Sequence, residues 1–422
     1  MKKGKIIIAS GGIPALNIQG GIVSYVHELA NNLCDNGYDI VVYVIKESFR
    51  DDITINEKYS CKLFKMPQKR ADERYLVKKL LKEIKDYNPD IIINNELPYI
   101  AGLMPVISNK VIKISIVHGF LPYRTYTTFG IEAKIATHNW QWIDWIICQN
   151  SQMANGIVIK YSVDKDRVKY ISQTSKINET PNLQPNKTFT IVYAGGDSKR
   201  KGKKEMVGIC RKLRNSDMNF KLIWCLTADS IKKEFKDDNR FIFPGTLSRN
   251  EFIDTLNNSD CIIIPSHMDT GPMLLVEAMS VGTIPICNNL SYSAIPDIIK
   301  NGDNGYNIEN NNIDEYYKII NKLYYNREMV SKLKESSYNY YIENLTPKHQ
   351  TDKFISYFRK NSYNLSRTES FEEKHIIHNM HLYNTANLPK YSLKRIITKL
   401  INGYEIVITE PIYKRFVKYF IK

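Results

Sequence analysis

Twice along its length the chain alternates short β-branched runs with longer amphipathic patterns, an order that commits it to parallel sheets covered by helices. In the first series Lys5 to Ala9 is an apolar run. After a glycine-rich loop come Ile22, Val26, Leu29, Ala30 and Leu33, spaced as one helical face and closed by Gly37. Ile40 to Ile45, Ile91 to Asn94, Lys110 to Val117 and Trp145 to Cys148 read as further strands, with a charged helix from Glu73 to Tyr87 among them. Thr174 to Lys187, polar and carrying Pro181 and Pro185, reads as a linker. The pattern then restarts, with strands expected at Thr188 to Ala194, Lys221 to Leu226, Arg240 to Phe243, Cys261 to Ile264 and Thr283 to Cys287. The expected organisation is α/β: a Rossmann-like doubly wound domain over 1–173, a linker over 174–187, a second such domain over 188–345, and a helical, basic C-terminal extension over 346–422. In open parallel sheets ligands sit at the C-terminal strand ends, so the loops there are where chemistry is sought.

Composition narrows the classes. A chain of 422 residues, 43% hydrophobic and 24% charged, can bury two or three cores, which excludes disorder. No run reaches the roughly 18 apolar residues of a membrane span. Met1 to Lys5 before Ile6, Ile7 and Ile8 imitates a signal start, but the apolar run stops at Ser10 and Gly11 and reads as a first strand. Seven cysteines without a Cys-x-x-Cys pair give no disulfide framework and no zinc spacing, and the expected compartment is the cytosol. Fifty-nine basic against 44 acidic residues leave +15, which favours phosphorylated substrates, an anionic membrane face or nucleic acid. No nucleic-acid reading motif accompanies that charge, so nucleic acid is not expected as a partner.

Three loops can carry chemistry. Ser10 to Gly21 contains Gly11, Gly12, Gly20 and Gly21 ahead of the first long helix; it is either a tight turn or a place where amide N–H groups meet a phosphate. It lacks the G-x-G-x-x-G spacing of a dinucleotide site. Tyr193 to Lys204 runs from a strand into glycines and then into Lys199, Arg200, Lys201 and Lys203, any one of which could neutralise a diphosphate. Pro265 to Cys287 joins a strand to a helix. Pro272 suits the first helical turn, Thr270 or Gly271 a cap, and the N–H groups of Thr270 to Leu274 make an anion site flanked by Asp269 and Glu277.

This last run, PSHMDTGPMLLVEAMSVGTIPIC, resembles the acidic-x7-Glu signature of glycosyltransferase family 4, retaining sugar-nucleotide transferases of the GT-B fold. Gly20-Gly21 resembles the family's first motif, DWIICQNSQMANGIV from Asp144 the end of its first domain, and Lys201-Gly202 its Lys-Gly loop. FPGTLSRNEFIDTLNNSDCIIIPS from Phe243 resembles the stretch before the acidic motif, and Gly302 to Gly305 the turn after it. DTGPM resembles a subgroup found in cell-surface polysaccharide synthesis. The resemblance covers about residues 5 to 345 and implies two facing domains with a cleft between them.

By matched position it implies that Glu277 grips the nucleotide ribose, that Asp269 contacts donor-sugar hydroxyls where most members carry Glu, and that Lys201 holds the diphosphate. The family's arginine position falls on Gly196, with Lys199 or Arg200 as replacements. His118 in IVHGF matches the cleft histidine near the reacting carbon, Gly21 offers an N–H to the diphosphate, and the segment of Gly245 to Arg249, Leu247 included, lies by the base. Met273 and Leu274 join the anion site at the helix start. The implied reaction moves a sugar from a UDP- or GDP-sugar to a glycan or lipid-linked hydroxyl with retention, the departing phosphate taking the acceptor proton. No metal or cofactor is expected: Asp164 and Asp166 read as a solvated loop, and His375, His378 and His381 diverge around a helix.

From Lys390 onward eight basic residues face Glu405 and Glu410. Leu393, Ile396, Ile397, Leu400 and Ile401 form one apolar helical face, and Tyr413, Phe416, Val417 and Phe420 another, suited either to an anionic membrane or to docking on protein. The competing function is a non-catalytic partner subunit of the same fold, which Gly196 and Asp269 keep open.

Overall fold

The computed structural model describes residues 3–13, 16, 21–46, 57–66, 70–120, 128–175, 179–227 and 229–359. Gly20, the histidines from His375 on and the basic C-terminal faces lie outside the described residues. The chain divides into two units, residues 1–172 with 350–422, and residues 173–349.

In the first unit the strands β1 (Lys5–Ser10), β2 (Asp39–Lys46), β3 (Ser60–Lys65), β4 (Ile91–Asn95), β5 (Ile112–Val117), β6 (Trp145–Cys148) and β7 (Val168–Tyr170) form one sheet, ordered β3-β2-β1-β4-β5-β6-β7. All its pairings are parallel. Helices α1 (Gly21–Asp35), α2 (Arg70–Tyr87), α3 (Pro98–Leu103), α4 (Thr128–Ala136) and α5 (Ser151–Tyr161) make the crossovers. Burial on both faces explains the unbroken Ile6-Ile7-Ile8 and Ile91-Ile92-Ile93 runs. Alternate residues Ile6 and Ile8, Ile91 and Ile93, Ile114 and Ile116 pack one face against Val26, Leu29 and Leu33 of α1.

The second unit repeats the design. Strands β8 (Phe189–Tyr193), β9 (Phe220–Cys225), β10 (Phe241–Gly245), β11 (Cys261–Ile264), β12 (Ile284–Asn288) and β13 (Tyr306–Ile308) are parallel, in the order β10-β9-β8-β11-β12-β13. Helices α6 (Lys203–Arg214), α7 (Asp229–Phe235), α8 (Arg249–Asn257), α9 (Met273–Ser280), α10 (Ile295–Ile298), α11 (Ile313–Tyr325) and α12 (Arg327–Asn344) cover it. The faces alternate by residue: Ile191, Tyr193, Cys261 and Ile263 enter one core, Val192, Ile262 and Ile264 the other. Strand order reverses between β8 and β11, which is the switch point where such sheets open a crevice.

Two expected boundaries differ. The described residues of the expected linker, 174–175 and 179–187, pack on the second unit instead of hanging between domains. Thr174 Oγ1 donates to Leu345 O at 2.6 Å, Ser175 O accepts from Tyr341 at 2.8 Å, and the Asn182 N–H reaches Asn257 Oδ1 at 2.7 Å. Residues after 345 begin with α13 (Pro347–Ser356), and residues 350–359 belong to the first unit. Phe354 is fully buried in that unit's core, and the Trp145 indole N–H donates to Arg359 O at 2.8 Å.

Candidate functional site

The second unit holds a cavity of about 320 Å³ where β8, β9, β10 and β11 end. Tyr193, Cys225 and Ile264 close it from the strands, and Leu226, Leu247 and Phe252 supply an apolar wall. Gly195, Lys201, Ser266, Asp269, Pro272, Leu274 and Glu277 also line it, Lys201, Ser266, Asp269 and Glu277 with polar side chains. Of the residues expected from sequence, it therefore gathers Lys201, Asp269, Pro272, Leu274, Glu277 and Leu247.

Lys201 Nζ donates to Asp269 Oδ2 at 2.5 Å, which joins the lysine loop to the acidic loop. Further contacts knit the same two loops. The His267 N–H donates to Arg200 O at 2.8 Å, and His267 Nε2 lies 3.0 Å from Glu205 Oε2. Gly202, at φ +82°, sits so close to Pro265 that a Cβ would come within 1.9 Å of its carbonyl oxygen. Two buried asparagines hold the acidic loop from beneath: Asn311 Nδ2 donates to Pro265 O at 2.7 Å and Asn288 Nδ2 to Ser266 O at 2.8 Å.

The start of α9 differs from expectation. The helix begins at Met273, and Pro272 is its N-cap at φ −68° and ψ 105°, because an extended ψ there lets the loop turn away from the axis. Thr270 is buried and its carbonyl accepts the Ala294 N–H at 3.0 Å; Gly271 lies against Gln173. Thr270, Gly271, Met273 and Arg200 do not line the cavity among the described residues. Gly196, where the resemblance puts an arginine, is buried at φ +61° with a built Cβ 3.1 Å from Leu226 O, so this turn takes glycine for a steric reason.

Sequence reasoning missed Arg249 as a side chain. It opens α8 behind a capping box of Ser248 and Glu251, forms an ion pair with Glu277 through Nη1 and donates from Nη2 to Ser175 Oγ at 2.9 Å. The Ser-x-x-Glu helix start was legible; its pairing with a carboxylate 28 residues on was not. Leu226, at the end of β9 with φ +58°, and Phe252 were also missed, for they are ordinary apolar residues until the sheet brings them to one edge.

The remaining expected residues belong to the first unit. Gly21 opens α1, exposed, with nothing within 4 Å of a built Cβ. His118 follows the C-terminal end of β5, an interior strand; its Nε2 is 2.6 Å from Asn95 Oδ1, and Tyr25 of α1 meets the ring edge-on at 4.9 Å. Burial pushes the imidazole down to about 3, so it is neutral at physiological pH. Glu96 accepts the His118 N–H at 2.6 Å from a left-handed backbone at φ +61°. Burial, reinforced by Glu132, raises the Glu96 carboxyl well above the usual range, and burial pushes Glu132 up to about 7. Asp164 accepts the Asp166 N–H at 3.0 Å and faces Arg167, a local turn. Among the described residues no three His, Cys, Asp or Glu side chains cluster as metal ligands, and no helix is long and apolar enough to cross a membrane.

Residues 175–340 match the family described as glycosyl transferases group 1, and residues 19–173 match glycosyltransferase family 4. No curated protein matches the chain in sequence. Among solved structures it is similar to a glycosyltransferase from Rickettsia africae, with 15% identity and a TM-score of 0.66 over 87% of this chain and 100% of that one. A sucrose-phosphate synthase from Thermosynechococcus elongatus matches at 13% identity and 0.66 over 85% and 98%. The Anabaena protein HepE in complex with UDP matches at 13% and 0.64 over 84% and 99%, and it has also been solved with UDP-glucose. These likenesses show the fold, two Rossmann-like parallel-sheet domains of the GT-B kind.

Proposed function

The chain belongs to the group 1 glycosyltransferases of family 4, and from that premise we propose that it transfers a sugar from a uridine-diphosphate sugar to a hydroxyl of a glycan or lipid-linked acceptor, with retention and without a metal. The observation that carries the reading is the convergence of Lys201, Asp269 and Glu277 on one cavity with an apolar wall at a strand-order switch point. Such a cavity matches the parts of the donor in sequence. The base lies against Leu226, Leu247 and Phe252, the ribose hydroxyls bond to Glu277, the diphosphate meets Lys201 and the start of α9, and the sugar reaches Asp269. Uridine is preferred over guanosine on the strength of HepE, which binds UDP and UDP-glucose.

Without donor, Lys201 is held by Asp269. An arriving diphosphate competes for the ammonium and leaves Asp269 to accept from sugar hydroxyls. In transfer the acceptor oxygen bonds to the anomeric carbon as the bond from that carbon to the phosphate oxygen breaks, and the acceptor proton passes to the departing phosphate. Lys201 stabilises the charge that develops there, which is what a metal does in other transferases. The DTGPM resemblance favours surface glycans as the setting. The basic faces at Leu393 to Ile401 and Tyr413 to Phe420 would hold an anionic membrane; lost vesicle binding on deletion from Leu388 supports that role, and retained binding removes it.

The test is a hydrolysis screen with uridine and guanosine sugar donors, with chelator and with added divalent metal. Slow release of UDP, unaffected by chelator and absent in Glu277→Ala, is expected. Silence across the panel with no nucleotide bound would instead favour the non-catalytic partner subunit.

A further inference from the structure

We infer that Arg249 is a positioning residue for the donor: it fixes the Glu277 carboxylate so that one oxygen stays available to the nucleotide ribose. The inference rests on the donor reading above. Glu277 is 9% exposed at its side chain and lines the cavity, whereas Arg249 is 56% exposed and does not line it. An isolated surface pair of this kind is worth little. This pair differs because one member is a nearly buried carboxylate, which is costly to leave without a cation.

The geometry shows how the arginine is aimed. Its backbone is the first residue of α8, set by Ser248, whose Oγ accepts the Glu251 N–H at 3.3 Å, and by Glu251, whose Oε2 accepts the Ser248 N–H at 2.7 Å. Its Nη1 donates to Glu277 Oε1, and its Nη2 donates to Ser175 Oγ at 2.9 Å. Ser175 is itself buried and tied to Tyr341 through its carbonyl at 2.8 Å. The planar fork therefore joins α8, α9 and the segment entering the unit, and holds Glu277 by one oxygen. The other oxygen carries no hydrogen bond from the described residues. A carboxylate pinned on one side binds a hydroxyl at less entropic cost than a free one. Lysine cannot reproduce this, since a single ammonium does not span two acceptors in a fixed plane.

The experiment measures binding of UDP and of 2′,3′-dideoxy-UDP to the full chain by calorimetry, so that the ribose contribution is read as the ratio of the two affinities. The native chain should prefer UDP by about tenfold or more, as expected for a charge-assisted hydrogen bond. Arg249→Gln should shrink the ratio to about threefold or less, Ser175→Ala should reduce it partly, and Arg249→Lys should restore little. Glu277→Ala should abolish the preference, with no further loss in the Arg249→Gln/Glu277→Ala double variant. If Glu277→Ala abolishes the preference while Arg249→Gln keeps it whole, the positioning role is wrong and the donor reading stands. Tighter UDP binding by Arg249→Gln would also overturn it, making the arginine an obstacle to ribose. If the native chain binds neither nucleotide, the donor reading fails first and this inference falls with it.

Discussion

Lys201 and Asp269 form a reciprocal ion pair, and on the proposed reading an incoming diphosphate displaces Asp269 from the lysine. Losing the lysine removes one charged contact in the transition state, roughly 1.5–3 kcal/mol, so Lys201→Ala should lower kcat/KM with donor about 10- to 100-fold. An unchanged value would remove Lys201 from the mechanism. His118 yields a prediction of a different kind. Burial holds its pKa down to about 3 against an ordinary 6.5. Between those values the unfolded chain binds a proton that the folded one refuses, so this residue costs stability as pH falls from about 6.5 toward 3. Glu132, pushed up to about 7 from 4.5, acts in the opposite sense, contributing stability at low pH that fades as pH rises through that window. His118→Asn should therefore melt with a shallower loss than the native chain between about pH 6.5 and 4, and parallel curves would contradict the buried neutral assignment.

At the level of elements, the loops carrying Lys201 and Asp269 depend on backbone that side chains would obstruct. Gly202→Ala should destabilise the protein by about 2–4 kcal/mol, combining the cost of a left-handed alanine with the clash on Pro265. Gly245→Ala is the matched control, since Gly245 has φ +80° but nothing within 4 Å of a built Cβ, and it should cost only about 1–2 kcal/mol. Equal denaturation midpoints for the two variants would mean that the loop contact is loose. The same elements show what could be read in advance. β1, β2, β4, β6 and β11 were legible to within a residue or so, because strands buried on both faces are continuous β-branched runs. β3 was not, since SCKLFK at a sheet edge mixes exposed lysines with apolar residues, and β7 and β13 are three residues each, too short to show a period. Lys201, Asp269 and Glu277 were legible because they flank strand-to-helix loops in a recognisable order. Arg249, Leu226 and Phe252 were not, because nothing in their local sequence says which edge of the sheet they share.

For the molecule as a whole, sequence order and spatial grouping part company near the end. Residues 350–359 rejoin the first unit, and Phe354 sits fully buried in the core cluster that also holds Ile6, Leu29 and Leu33, more than three hundred residues earlier. Phe354→Ala should cost about 3–5 kcal/mol in chemical denaturation. A loss below about 1 kcal/mol would mean that α13 is not part of that core. The proposed donor site is the crevice at the β8/β11 switch point. Hydrogen exchange of the full chain with and without UDP checks that placement. Protection is predicted in Tyr193 to Gly202, Thr246 to Arg249 and Pro265 to Glu277, and it should vanish in Glu277→Ala. Protection elsewhere, with these three loops unchanged, would rule that site out.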